Sequence, residues 1–345
     1  MLDGKKAPTI QDVARTASVS TATVSRALSH PERVSESTRQ RVDDAIRTTG
    51  YTLNQSARSL RKRTSRTILV ALPDIGNPFF SVILEAIERE AVLRDYDVLV
   101  ANRGEGVDQN ARLLDYLLSK RADGMLMFDG ALDPTRFRGL RQEQDKLPLV
   151  VACEDIPGSG LRTVKIDNAA AAKKATEHLI ELGHRRIAHV TGPSGNILTE
   201  ERERGYRSAL AAAGIVPRPE WIIPGNFHIG GGASAARRLV ELDEMPTGVF
   251  CGNDEAAIGL ISEMRKLKRE CPRDISVVGF DDITLAARYV PPLTTIRQPR
   301  EQLGRLAAET LFAILEGRAS GPAAREIVLE SQLVVRASTA HPPQC

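Results

Sequence analysis

The chain has 345 residues, 42% of them hydrophobic, enough for a sizeable core and for two or three structural units. No apolar run approaches the roughly 18 residues needed to cross a bilayer, and the polar start MLDGKKAPTI lacks the apolar core of a secretory signal, so a cytoplasmic protein is expected. The net charge of +3 is uneven: residues 1–66 hold 13 Lys/Arg against 6 Asp/Glu, while the remaining 279 hold 34 against 38. That is the balance of a basic nucleic-acid-binding head on an ordinary body.

In chain order, TIQDVARTA places Ile10, Val13, Ala14 and Ala17 at i, i+3, i+4 and i+7, with Thr9 and Asp12 spaced as a capping box. The next residues, SVS, allow only a tight turn. TATVSRALS then predicts a second helix with Val24, Ala27 and Leu28 inward and Thr21, Ala22, Ser25 and Arg26 outward. A third helix over 35–49 adds Val42, Ala45 and Ile46 to the same small core. Three short helices with a turn after the first describe a helix-turn-helix. Its second helix carries short side chains that let the backbone approach a base edge, and an arginine that can bond guanine O6 and N7 together. A surface helix of small polar residues would share this composition.

After Tyr51 the basic stretch SARSLRKR puts Ala57 and Leu60 on one helical face among Arg58, Arg61, Lys62 and Arg63. Apolar wedges flanked by arginines are how minor-groove binders kink a duplex. About eight residues are too few for a stable isolated helix, so this one is expected to order on DNA.

From Thr67 onward, β-type runs (TILVALP, DVLVAN, GMLMF, PLVVACE, TVKID, RIAHVTG, GVFCGN, ISVVGFDD) alternate with helical stretches. This is the pattern of βαβ units and parallel sheets. Roughly eight units are too many for one open sheet, so the body divides near Asp167, and PPLTTIRQP and REIVLESQLVV cross back between the halves. Two lobes place a ligand at the carboxyl ends of the strands. The loops there carry Asn77, Phe79, Phe80, Cys153, Glu154, Asp155, Arg202, Asn253, Asp281 and Asp282. Arg, Asn and Asp can satisfy a polyol's hydroxyls while an aromatic ring covers its apolar face. Acidic residues after strands also simply cap the next helix, a role that suits Asp254. HIGGGAS lacks phosphate-loop spacing and reads as a flexible helix start. The four cysteines (Cys153, Cys251, Cys271, Cys345) and the histidines show no metal-ligand spacing, and no G-x-S-x-G elbow is present. No catalysis, metal or cofactor is expected.

The segments TIQDVARTASVSTATVSRALS, RVSESTRQRVDDAIRTTGY and SARSLRKR, with LPDIGNPFF, LGHRRIAHVTGP, VFCGNDEAAIG and DISVVGFDD in the body, resemble the lactose-repressor (LacI) family of bacterial transcription regulators. Within it they are most similar to the cytidine-repressor branch. The resemblance covers nearly the whole chain. It implies an α/β fold: a three-helix helix-turn-helix head over 1–54, a hinge helix and linker over 55–66, and a two-lobed periplasmic-binding-protein-like core with parallel sheets over 67–345. Lobe 1 is expected at about 67–166 plus 294–322, and lobe 2 at about 167–293 plus 323–340.

It implies DNA contacts from Ser20, Thr21, Ala22, Ser25 and Arg26, and from Arg58, Leu60 and Arg61, with Leu60 wedging into the central base step. It also implies effector contacts from Phe79, Phe80, Cys153, Glu154, Arg202, Phe227, Asn253 and Asp281, where Cys153 stands at a position often held by aspartate. The implied protein is a homodimeric, ligand-controlled repressor of a pseudo-palindromic operator, its effector a small sugar, polyol or nucleoside. A solute-binding protein for sugar transport is the alternative for the body, set apart by the signal peptide it would carry. The chain ends soon after LVVRASTA with no leucine-heptad helix, which favours a dimer over a tetramer.

Overall fold

The computed structural model describes residues 8–51, 64–103, 108–130, 147–156, 158–318 and 325–343. The chain forms two compact units, Met1–Thr64 and Ser65–Cys345.

In the first unit, α1 (Ile10–Thr16), α2 (Thr21–Ser29) and α3 (Glu36–Thr49) enclose one small core of Val13, Ala14, Ala17, Val24, Ala27, Val42 and Ala45. The Asp12 carboxylate accepts from the Thr9 backbone N–H (2.9 Å) and its hydroxyl (2.7 Å), fixing the start of α1. Ser18 takes the left-handed conformation (φ 51°) that the tight turn requires, and Arg41 of α3 donates to the carbonyls of Ala17 and Ser18 there. Gly50 (φ 66°) ends α3. The expected hinge residues Arg58, Leu60 and Arg61 lie outside the described residues.

The second unit contains two six-stranded sheets. The first joins β1 (Thr67–Leu72), β2 (Asp97–Asn102), β3 (Gly124–Met127), β4 (Leu149–Ala152), β5 (Arg162–Ile166) and β11 (Glu326–Leu329), in the order β11-β5-β4-β3-β1-β2. The second joins β6 (Ile187–Thr191), β7 (Ile222–Pro224), β8 (Gly248–Cys251), β9 (Ser276–Asp281), β10 (Thr294–Arg297) and β12 (Gln332–Val334), in the order β12-β10-β9-β8-β6-β7. Every pairing is parallel except β10 with β12. The central strands are buried along their whole length, as parallel strands covered on both faces must be.

The covering helices are α4 (Phe79–Val92), α5 (Asp108–Leu118), α6 (Asn168–Glu181), α7 (Ile197–Ala212), α8 (Ile229–Val240), α9 (Asp254–Lys266) and α10 (Arg300–Leu315). The chain passes between the sheets three times: from β5 into α6, from β10 into α10, which packs on β3, β4 and β5, and from β11 to β12.

Two sequence expectations need correction here. Thr294–Arg297 was assigned to the first lobe, yet β10 pairs with β9 in the second sheet, Thr294 opposite Val278. The strand Glu326–Leu329 was assigned to the second lobe, yet it pairs with β5 in the first, Glu326 opposite Thr163. β11 is an edge strand and β10 lies between β9 and the edge strand β12, and neither short run carries in its own residues a mark of which sheet it joins.

The glycine run of HIGGGAS does begin a helix, but flexibility is not its reason. A Cβ at Gly232 would overlap the Ala256 carbonyl oxygen of α9, and one at Gly259 would overlap the Ile229 carbonyl. The two helices therefore touch backbone to backbone. Gly232→Ala is expected to destabilise the unit by about 1–3 kcal/mol through overpacking, measured as a lower denaturation midpoint. A neutral effect would contradict the close approach.

Candidate functional site

The larger unit holds a cavity of about 570 Å³ between its sheets. Its walls come from segments that follow strands: Asp74, Asn77, Phe79 and Phe80 after β1, Arg103 after β2, Asp129 after β3, and Cys153 and Glu154 after β4. From the second sheet come Asn196 and Arg202 after β6, Phe227 after β7, Asn253 after β8, Asp281 at the end of β9 and Gln298 after β10. All eight residues expected in an effector site line this one space.

Five residues here or beside it carry non-glycine side chains at positive φ: Cys153 (67°), Asn226 (54°), Phe227 (59°), Asp281 (118°) and Asp282 (55°). Such conformations cost of order 1–3 kcal/mol each and persist only where the surrounding structure over-determines them.

Arg202 is the centre of the polar wall. It is 4% exposed, and its Nε donates to Asn168 Oδ1 (3.1 Å) and its Nη1 to the Gly252 carbonyl (2.6 Å). Its guanidinium lies 3.8 Å above the Phe280 ring and 5.4 Å from that of Phe227. Two of the five guanidinium donors are thus committed to the protein.

Asp281, also buried, accepts from Gln298 Nε2 at 2.8 Å. Burial pushes its carboxyl up to about 6, opposed by the attraction of Arg202. The Phe227 ring fits because residue 192 is glycine, since a Cβ there would overlap it. Asn253 caps α9 through Oδ1 (Ala256 N–H, 3.0 Å), and its Nδ2 holds the Phe227 carbonyl at 2.9 Å. Asn253, not Asp254, is therefore the cap. Asp254 is fully buried and takes the Ile283 N–H (2.8 Å) and the Thr295 hydroxyl (2.5 Å).

Phe79 and Phe80 both line the cavity and both belong to the core, their rings edge-on at 5.1 Å. Burial raises the Cys153 thiol far above its ordinary range, so this position supplies no charge. Its neighbour Glu154 is already bound: Oε2 accepts from the Gly130 N–H (2.6 Å) and Oε1 from Asn196 Nδ2 (3.2 Å). Burial first, then the charge of Asp129, pushes Glu154 up to about 7. Asp129 itself pairs with Arg103. The sequence alone does not single out Arg103, Asp129, Asn196 or Gln298 as site residues. Only Asn196, at a helix start, carries a local signal, and that signal says cap.

These raised carboxyls fix the sign of one pH effect. Between the ordinary values of 4.5 and 3.8 and the folded values of about 7 and about 6, the folded protein binds more protons than the unfolded chain. Their contribution to stability is complete at low pH and is lost as pH rises through about 7. Glu154→Gln, which mimics the protonated form, is expected to relieve up to about 3 kcal/mol of that loss above neutrality. It should change little in acid. Thermal unfolding scans across pH check this, and equal effects at both ends would contradict it.

In the smaller unit, Thr21, Ala22 and Arg26 are exposed along α2, and Ser25 is half-buried. Ser20 is the N-cap, its hydroxyl accepting from the Thr23 N–H at 3.0 Å, so this side chain is engaged within the protein. Val24 and Ala27 anchor the opposite face.

A helix-turn-helix on one unit and a ligand-sized cavity between two parallel sheets on the other define a ligand-responsive DNA-binding regulator. The pattern of "Bacterial regulatory proteins, lacI family" matches residues 9–54, and that of "Periplasmic binding protein-like domain" matches residues 176–339. The chain belongs to the lacI family. It is 40% identical over 334 residues to the HTH-type transcriptional repressor CytR of Escherichia coli K12, spanning 96% of each chain. It is 34% identical to the ribose operon repressor of Haemophilus influenzae, covering 96% of this chain and 98% of that one. Among solved structures, the lac repressor dimer bound to operator and the anti-inducer ONPF superimposes with a TM-score of 0.85 at 27% identity, covering 97% and 100%. The CelR–cellobiose complex superimposes at 0.71 with 31% identity, covering 96% and 99%. The protein is a transcriptional regulator of the helix-turn-helix type, and its relatives are repressors, not enzymes.

Proposed function

We propose that the protein is a homodimeric repressor working on operator DNA in the cytoplasm, and that a neutral polyhydroxylated effector in the 570 Å³ cavity changes its grip on that DNA. One observation carries the reading of the effector. The cavity wall sets the cations Arg103 and Arg202 against four carboxyl groups, Asp74, Asp129, Glu154 and Asp281. An anionic phosphosugar would meet net repulsion there, whereas hydroxyl and amide groups find both donors and acceptors.

Three rings, Phe79, Phe80 and Phe227, supply flat apolar wall, which suits a nucleoside with its base against the rings and its ribose toward Arg202 and Asp281. The similarity to CytR supports the same choice. On the DNA side, Thr21, Ala22 and Arg26 read the major groove, with Ser20 and Ser25 beside them. Leu60, flanked by Arg58 and Arg61, wedges the minor groove at the centre of a pseudo-palindrome.

Thermal shift against nucleosides, monosaccharides, polyols and phosphosugars tests the effector class. At about 100 times its dissociation constant the true effector stabilises the fold by about 2.7 kcal/mol, and Asp281→Ala is expected to abolish that shift. A shift from sugars alone would replace the nucleoside reading with a carbohydrate one. A shift from phosphosugars alone would overturn the neutral class.

A further inference from the structure

The turn that carries the chain from α1 into α2 is built without glycine. The Val19 N–H bonds to the Ala14 carbonyl (3.0 Å) and the Ser18 N–H to that of Arg15 (3.2 Å). These are the two bonds of a Schellman ending, which needs a left-handed residue at position 18. Glycine takes that conformation freely, whereas an L side chain resists it. Here the residue is Ser18, at φ 51°. Ser20 already caps α2, so Val19 alone separates the end of one helix from the start of the next. The path of this short turn therefore sets the direction in which α2 leaves α1.

One side chain from α3 holds the turn. Nη2 of Arg41 donates to the carbonyls of Ala17 (2.5 Å), the C-cap of α1, and of Ser18 (3.0 Å). Carbonyls at a helix end have no partner within their own helix, so a donor from outside completes them. Arg41 is well placed to supply it, because its neighbour Val42 and Ala45 seat α3 in the head's core. The buried residues of that core are three valines and four alanines, which gives α2 only a small apolar seat. A polar tie at the turn then bears a larger share of the helix's placement.

We propose that Arg41 is a positioning residue for DNA recognition: by pinning the α1–α2 turn to α3, it sets the angle at which α2 enters the major groove. This role rests on the reading of α2 as the helix that enters the groove. A paired contact from Arg26 to a guanine edge depends on that angle, whereas attraction to the phosphates does not. Loss of the tie therefore shows in the choice of sequence rather than in the grip on DNA at large. Arg41 is exposed, so the rival role is a phosphate contact of its own. The two differ in salt dependence. Removing a phosphate contact flattens the plot of log affinity against log salt by about 0.9 per contact and weakens all sequences alike. Removing a positioning tie leaves the slope unchanged and costs discrimination.

Fluorescence anisotropy with the full-length protein gives both quantities, on a duplex selected by the protein itself and on a random duplex, each across a salt series. For Arg41→Ala the ratio of the two affinities is expected to fall about tenfold, with the slope on random duplex unchanged. If the head of this variant melts at the assay temperature, Ser18→Gly is added, since glycine holds the turn without strain and without restoring the tie. The ratio is then compared with that of Ser18→Gly alone, and the same fall is expected. An unchanged ratio with a flatter slope makes Arg41 a phosphate contact, and an unchanged ratio with an unchanged slope makes it a merely structural residue; both overturn the proposed role. Arg26→Ala, run alongside, separates the two ways of failing. If it also keeps its ratio, α2 is not the reading helix and the role of Arg41 falls with that reading. If it loses its ratio while Arg41→Ala does not, only the role of Arg41 falls.

Discussion

Replacing Arg202 with alanine is expected to cost the larger unit about 3–5 kcal/mol of stability and to reduce effector affinity by tenfold to a hundredfold or more. The stability loss follows from what the guanidinium now satisfies. Asn168 Oδ1 and the Gly252 carbonyl would each lose a buried donor, and Phe280 would lose the cation lying 3.8 Å above its ring. The buried Asp281 would lose the attraction that lowers its carboxyl and be pushed further toward its protonated form. Lysine does not rescue the site, because a point charge cannot reach two acceptors and stack on a ring at once. The head is a separate compact unit and should still bind DNA, so the variant is predicted to be a repressor that ignores its effector. Denaturant melts, calorimetric titration and an operator-binding assay check the three parts. Normal effector affinity in a destabilised Arg202→Ala protein would assign this residue to the core alone.

The second large effect lies on α2. Arg26→Ala is expected to cost about 1–3 kcal/mol at one base pair of each half-site and to relax the choice of base there. Arg26 is exposed, and the helix keeps its Ser20 cap and its Val24 and Ala27 anchors, so the fold should be unaffected. Selection of binding sites from a random duplex pool, run in parallel for both proteins, reads the outcome. An equal loss of affinity for every sequence would make Arg26 a phosphate contact.

Which features were legible in the sequence follows from how local their causes are. Val13, Val24 and Val42 mark the head's core because helical period alone puts them on facing sides. The strands of the body are legible because a parallel strand buried on both faces must be apolar throughout. β7 was missed, being only three residues long and ending in proline. The exchange of β10 and β11 between lobes is not legible in the sequence, because the partner of a short strand is a property of the whole topology.

The cavity divides along the same line. Arg202 and Asp281 are legible as polar residues in loops after strands, Phe227 only through the family resemblance, and the structure brings the three to one cavity. Arg103, Asp129 and Gln298 are not legible, since each gains its meaning from a partner distant in sequence: Arg103 with Asp129, Gln298 with Asp281. The resemblance implies an effector contact from Glu154, next to the Cys153 that stands where aspartate is often found. The structure gives each of its oxygens one protein donor, the Gly130 N–H and the Asn196 Nδ2, and leaves a lone pair on each.

The central claim is that a ligand in the cavity governs DNA binding by the head. It is tested most directly by fluorescence anisotropy on a duplex selected by the protein itself, titrated with and without the nucleoside or sugar that gives the largest thermal shift. The account predicts a change in DNA affinity of about 5–150-fold, the range of ordinary allosteric coupling, and no change in an Arg202→Ala protein. A ligand that stabilises the fold through this cavity yet leaves DNA affinity unchanged would contradict it.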